Sequence, residues 1–277
     1  MDTALNFTFP LWVDPSLRAD ADADVILNGQ SAGDSFGFSV ASAGDFNGDG
    51  IDDIIVGAYN DDIPCGVNCG NAFIFFGNIT GTKRADADAD VILQGQKNND
   101  FFGHSVASAG DFNGDGKDDV IVGAFGDDNN GSTSGSAFIF FGGITGTKNA
   151  DADANVIING GFNSGSGDNL GFSVASAGDF NGDGKGDVIV GAPLDDNNSQ
   201  TSSGSAFIFF GGITGTKGAD ADADVILNGQ DTNDNFGASV ASAGDFNGDG
   251  KSDVIVGAPL DDNNSETDSG SAFIFFG

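Results

Sequence analysis

The chain has 277 residues, enough to bury a core, with 39% hydrophobic content and a formal net charge of −33. Nine Lys plus Arg against 42 Asp plus Glu exclude nucleic acid as a partner, and self-repulsion of that size asks for bound cations. Almost all the acid is aspartate, with Glu266 the one glutamate, which points to tight turns and short-armed ligand loops rather than a generally acidic surface.

Residues 1–17 read as an arm. Asn6-Phe7-Thr8-Phe9-Pro10-Leu11 aligns without gaps on Ala72-Phe73-Ile74-Phe75-Phe76-Gly77, so the arm resembles a spare strand. Met1 to Trp12 lacks the basic start and apolar core of a secretory signal, so export is expected by another route or from a leader outside this sequence. Next comes A-D-A-D-A-D. If extended, it places Asp20, Asp22 and Asp24 on one side, as a solvated linker or a second, weaker cation site. It recurs as Asp86, Asp88 and Asp90, as Asp151, Asp153 and Asn155, and as Asp220, Asp222 and Asp224.

Four short strands are then predicted per unit, rich in Phe, Val and Ile and bounded by Gly, Asn and Asp. In the first copy they are Val25–Asn28, Phe36–Ala43, Asp53–Ala58 and Ala72–Phe76. The second alternates, with Phe38 and Val40 opposite Ser39 and Ala41, whereas the third is a continuous apolar run of the kind buried on both faces. No stretch shows a helical period with caps. Cys65 and Cys69 lie in one polar loop. Zinc would need four ligands and the lone His104 is in another unit, so a local disulfide in an oxidising compartment is expected.

Repetition organises the rest. Phe36, Phe102, Leu170 and Phe236, each followed by Gly, recur every 66 to 68 residues, and the repeated sets span 36–77, 102–142, 170–211 and 236–277 within a domain of 18–277. Tandem four-stranded units read as an all-β propeller of four blades. Ring closure is expected through Val25–Asn28 completing the blade that ends on Phe273–Phe276, with an open stack as the alternative.

Between the second and third strands the chain spells D-F-N-G-D-G-x-x-D four times. Oxygen side chains at positions 1, 3, 5 and 9, with glycine at 6, suit a hard divalent cation, and calcium accepts such flexible oxygen sets better than magnesium. The expected ligands are Asp45, Asn47, Asp49 and Asp53 with the Ile51 carbonyl; Asp111, Asn113, Asp115 and Asp119 with that of Lys117; Asp179, Asn181, Asp183 and Asp187 with that of Lys185; and Asp245, Asn247, Asp249 and Asp253 with that of Lys251. About four calcium ions, one per repeat, would offset about a quarter of the charge. An EF-hand is excluded, because its position 12 is Val56, Val122, Val190 or Val256 here and strands flank the loop.

The run from Phe36 to Ala58, F-G-F-S-V-A-S-A-G-D-F-N-G-D-G-I-D-D-I-I-V-G-A, resembles an FG-GAP repeat, the blade of the integrin α-subunit propeller, and Gly191-Ala192-Pro193 and Gly257-Ala258-Pro259 supply the closing triplet. The resemblance runs from about Ala19 onward. It implies an extracellular or surface protein that docks a ligand on the loops Asp61–Asn71, Asp127–Ser136, Asp195–Ser205 and Asp261–Ser271. These loops are polar, with few aromatics, and Trp12 and Tyr59 read as isolated packing residues. A four-stranded meander would put calcium loops and acidic connectors together on the other face. No nucleophile–base set appears, so no enzyme is expected. The expected role is a calcium-stabilised structural or adhesive module that binds protein, glycan or its own copies, self-assembling through the spare strand into filaments. The alternative is a fragment of a larger FG-GAP-containing enzyme or a carbohydrate-active propeller.

Overall fold

The computed structural model describes residues 18–163, 166–197, 200–262 and 267–277. The arm Asn6–Leu11, Trp12, Asn263 and Glu266 lie outside the described residues. Four blades follow one another. The first is Val40–Gly44, Asp53–Ala58, Asn71–Phe75 and Val91–Gln94, each antiparallel to the next. The second is Ser105–Gly110, Asp119–Ala124, Ser136–Phe140 and Val156–Asn159. The third is Ser173–Gly178, Asp187–Ala192, Ser205–Phe209 and Val225–Asn228. The fourth has three strands among the described residues, Ser239–Gly244, Asp253–Ala258 and Ser271–Phe275. Second and third strands are apolar and buried throughout in the middle blades, as their unbroken Val/Ile/Phe runs require.

A fifth kind of strand was not anticipated. Gly81–Arg84, Gly146–Asn149 and Gly215–Gly218 each leave their own blade and run parallel to the outer strand of the blade before. Gly81–Arg84 therefore pairs with Val25–Asn28, from Val25 opposite Gly81 to Asn28 opposite Arg84. The strand expected to latch the last blade is engaged at the first instead, and no pairing with Ser271–Phe275 forms among the described residues.

The acidic connectors are not extended. Ala19–Asp22, Ala85–Asp88, Ala150–Asp153 and Ala219–Asp222 are single helical turns. The cause is local capping: Asp22, Asp88, Asp153 and Asp222 each accept the N–H of the residue four before, at 2.7–2.8 Å. The next acceptor does something else. Asp90, Asn155 and Asp224 take the N–H of Phe76, Phe141 and Phe210 at the exit of the third strand. An amide oxygen accepts as a carboxylate does, so Asn155 fits the series. The earlier aspartates Asp86, Asp151 and Asp220 approach the loops that follow the second strands. Asp151 accepts from the Asn129 amide at 3.1 Å; burial and then the charge of Asp61 raise Asp86, and burial and then the charge of Asp220 raise Asp195. Each connector is thus divided between the two faces: its last acceptor stays beside the third-strand exit on the acidic-loop face, while its first aspartate reaches the other face because the extra parallel strand carries the chain across first.

Hydrophobic clusters lie between blades rather than within them. Phe46, Ile55 and Ile74 of the first blade pack with Phe102, Val120 and Phe138 of the second. Phe112, Ile121 and Ile139 meet Leu170, Val188 and Phe207 in the same way, and Phe180, Ile189 and Ile208 meet Phe236, Val254 and Val256. The Phe-Gly and Gly-Ala pairs make the joint. A Cβ on Gly57 would lie 2.0 Å from the Gly103 carbonyl oxygen of the next blade, and the same holds for Gly123 against Gly171. Only glycine permits backbones so close. Cross-blade hydrogen bonds seal the inner strands, with Val106 N–H on Ser39 Oγ and Val174 N–H on Ser105 Oγ, both at 3.0 Å.

Candidate metal centres

Each acidic loop closes on its own side chains. In the first, Asp45 accepts from the N–H groups of Gly48, Asp49 and Gly50, all at 2.9 Å. Gly50 has φ 88, so the glycine at position 6 is a conformational requirement. Position 7 donates its N–H to the position 5 carboxylate: Ile51 to Asp49, Lys117 to Asp115, Lys185 to Asp183 and Lys251 to Asp249, at 2.9–3.0 Å. The Asn47 amide nitrogen lies between two carboxylates, 3.1 Å from Asp49 Oδ2 and 3.4 Å from Asp53 Oδ1. Asn113, Asn181 and Asn247 repeat the contact with Asp115, Asp183 and Asp249.

Position 9 differs from the others. Asp53, Asp119, Asp187 and Asp253 are all fully buried, while position 5 is exposed. Each position 9 carboxylate spans two segments. Asp53 takes the Asn47 N–H in its loop and the Gly77 N–H at the third-strand exit; Asp119 takes Asn113 and Gly142, Asp187 takes Asn181 and Gly211, and Asp253 takes Asn247 and Gly277. Burial pushes Asp119 up to about 7 and raises Asp53 and Asp187 in spite of these bonds. At the exposed rim, the Asn181 amide holds Asp183 below the usual carboxylate range.

The donor set suits calcium: three carboxylates and an amide per loop, oxygen throughout, with one dry carboxylate short of positive charge. Among the described residues no three carboxylate, His or Cys side chains stand at metal-holding spacing, and within the first loop the asparagine amide nitrogen lies between two of the carboxylates. A flip about the side-chain amide would present Oδ1 there instead.

Adjacent loops also touch. Asp45 N–H donates to Asp118 Oδ2 at 2.8 Å, and the Phe46 carbonyl accepts the Gly143 N–H at 2.7 Å.

On the opposite face Cys65 and Cys69 are disulfide-bonded within their loop. Tyr59 is not isolated there. Its ring lies 4.6 Å from Phe38 and 5.4 Å from His104, and His104 also meets Phe125 and Phe172 at 4.7 and 4.9 Å. His104 is half-buried in this cluster, and burial lowers its pKa. The aromatics were missed because each repeat contributes one or two, and only the ring arrangement joins them. A further set of buried aspartates on this face, Asp34, Asp61, Asp100, Asp127, Asp168, Asp195, Asp234 and Asp261, was also missed. The available signal was their recurrence: two residues before each Phe-Gly or Leu-Gly, and three after each Gly-Ala.

The FG-GAP repeat family matches residues 36–73, 102–140, 170–209 and 236–275, more than half of the chain. Integrin alpha-5 of Xenopus laevis is 32% identical over 232 residues, covering 80% of this chain and 20% of that protein. Integrin alpha pat-2 of Caenorhabditis briggsae is 30% identical over 246 residues, 81% of this chain and 18% of its own length. Phosphatidylinositol-glycan-specific phospholipase D of Bos taurus is 32% identical over 163 residues, 57% of this chain and 18% of that protein. The chain thus spans about a fifth of the length of these relatives. Among the described residues no helix is long and apolar enough to cross a membrane. The chain belongs to the FG-GAP repeat family, as an extracellular-type module of integrin-like blades.

Proposed function

We propose that the protein is a calcium-stabilised, surface-exposed structural or adhesive module and not an enzyme. The observation that carries this is the buried ninth aspartate of every loop, which joins the first hairpin of its blade to the exit of the third strand. The ligands would be the first, third, fifth and ninth residues with the seventh carbonyl. A bound calcium ion supplies the positive charge that these dry carboxylates lack. The loops then fix the hairpins, the hairpins place the Phe46-type side chains between blades, and the blades present the opposite face. Chelation with EDTA is expected to lower the melting temperature markedly, because ions bound only by the native state stabilise it. An unchanged melting curve would show that the loops bind nothing.

Partner binding falls to the aromatic cluster of Phe38, Tyr59, His104, Phe125 and Phe172, with the polar loops around it. Aromatic faces set in a polar rim suit a protein or glycan. Self-association is the further element of this proposal. Phe246, whose counterparts are plugged into the next blade, is 64% exposed, so the fourth blade offers the joint that the first three use internally. The spare N-terminal strand would add to a neighbour in the same head-to-tail sense. A second reading, a segment of a larger FG-GAP-containing enzyme or a carbohydrate-active propeller, draws on the phospholipase D relatives. Turnover by the isolated chain on a polysaccharide panel would favour the carbohydrate-active form of it.

A further inference from the structure

The face opposite the acidic loops carries carboxylate trios drawn from three separate segments of each complete blade. In the third blade they are Asp168, before Leu170-Gly171; Asp195, at the start of the loop after Asp187–Ala192; and Asp220, in the turn Ala219–Asp222. Asp168 and Asp195 are 2% and 1% exposed. Burial, and then the charges of Asp195 and Asp220, push Asp168 up to about 8. The first blade has Asp34, Asp61 and Asp86, and the second has Asp100, Asp127 and Asp151.

Crowding alone would not make these trios sites, and their carboxylates do not stand at metal-holding spacing, so an ion would have to draw them together. Two further observations point to a ligand. Among the described residues, the buried side-chain polar atoms left without a hydrogen-bond partner are Asp195 Oδ1 and Asn71 Oδ1. Both belong here: Asp195 is a member of its trio, and the Asn71 amide nitrogen donates to Asp61 Oδ2 at 2.8 Å. Asp195 Oδ1 is thus a buried oxygen with no hydrogen bond, while Asn197 and Ser205 serve the rest of its carboxyl, and the third members Asp220 and Asp86 are exposed to solvent.

The second observation is that the second blade supplies its own cation. Lys97 Nζ lies 4.0 Å from Asp127 Oδ1 and donates to Asn129 Oδ1 at 2.7 Å. The Asn129 amide nitrogen in turn joins Asp127 Oδ2 at 2.9 Å to Asp151 Oδ1 at 3.1 Å. The Lys97 N–H donates to Asp100 Oδ2 at 3.0 Å, and the Ser31 N–H makes the same bond to Asp34 at 2.9 Å. Backbone geometry is therefore shared, and the side chain differs. The first blade has serine at this position, and in the third blade the Gly161 N–H serves Asp168.

We propose that the Asp168–Asp195–Asp220 trio, and its counterpart Asp34–Asp61–Asp86, each bind a calcium-class divalent cation, and that the Lys97 ammonium occupies the equivalent place in the second blade. The ligands are oxygens only, which favours a hard cation over zinc. Unlike the loop sites, which are local in sequence, these would tie the outer-strand connector to the loop after the second strand.

The test is calcium stoichiometry of the full chain by equilibrium dialysis, with native mass spectrometry as a second readout. Lys97→Ser is expected to gain one calcium per chain, and Asp168→Asn with Asp195→Asn to lose one. Identical counts in wild type and Lys97→Ser overturn the proposal. That variant removes a half-exposed side chain and so remains informative if the double variant does not fold. The loop reading is tested separately by Asp115→Asn. If that change leaves the count unaltered while Lys97→Ser still adds one, the loop reading fails and the trio sites stand.

Discussion

Replacing Phe112 by alanine, and separately Phe246 by alanine, alters the same residue of the same nine-residue motif in two blades. Phe112 is fully buried among Leu170, Val174, Val188 and Phe207 of the next blade, whereas Phe246 is 64% exposed. Truncating a buried phenylalanine removes its transfer free energy and leaves a cavity, a loss of about 3–5 kcal/mol. An exposed position away from such packing changes stability by only about 0.5 kcal/mol. Local sequence, loop and ligand set are matched, so the difference isolates the joint between blades. Urea denaturation at saturating calcium and low protein concentration, followed by circular dichroism, measures both variants. Equal losses would refute the reasoning, because the outward face of the fourth blade would then be covered. A loss for Phe246→Ala that grows with protein concentration would assign the cover to a second copy.

Gly123→Ala is expected to be severely destabilising, since the new Cβ would meet the Gly171 backbone oxygen at 2.0 Å; Gly257→Ala, whose Cβ would meet only the Ser239 hydroxyl within 3 Å, should cost far less. Thermal melts compare the two directly. In chelator, the melting temperature should fall as pH rises from about 5 to 8.5. Burial raises Asp100 to about 7, Asp119 to about 7, Asp127 to about 6 and Asp168 to about 8. The folded state therefore binds protons more tightly than the unfolded one, and that stabilisation is lost as pH passes through these values. Asp119→Asn should flatten part of this slope while abolishing the calcium-dependent gain at its loop. His104 acts in the opposite sense: its lowered pKa contributes stability above about 6.5 that is lost on acidification, so His104→Leu should melt higher at pH 5 relative to wild type than at pH 8.

The blades were legible because their signals are local and repeated. Asp53–Ala58 is an unbroken apolar run ending in Gly-Ala, and its bounds in the structure are those expected. Val25–Asn28 likewise formed a strand, but its partner could not be read, since pairing depends on Gly81–Arg84, a polar G-T-K-R stretch with no hydrophobic alternation. The connectors misled for a related reason. Alternating Ala and Asp imitates an extended strand, and the bonds from the Arg84 N–H to the Asp88 carboxylate and from the Ala89 N–H to the Ala85 carbonyl curl it into a turn. The four acidic loops were explicit in their spacing, and each closes on its own side chains. The buried Asp168 and Asp195 were not, because they are scattered along one repeat and only the folded blade buries them on one face.

The strand that each repeat lends to the blade before it puts the written unit and the folded unit out of phase. A sequence repeat beginning at Phe102 holds the inner strands of one blade, yet its Gly146–Asn149 covers the edge of another. Val225–Asn228, which has no parallel partner among the described residues, is more exposed than Val91–Gln94 or Val156–Asn159. A single repeat excised at its sequence boundaries would therefore be an incomplete body with two unmet debts of backbone hydrogen bonding. Insertion of a whole repeat, by contrast, reproduces every existing joint without altering one, so the array can lengthen by duplication while no blade already present has to change its neighbours' chemistry.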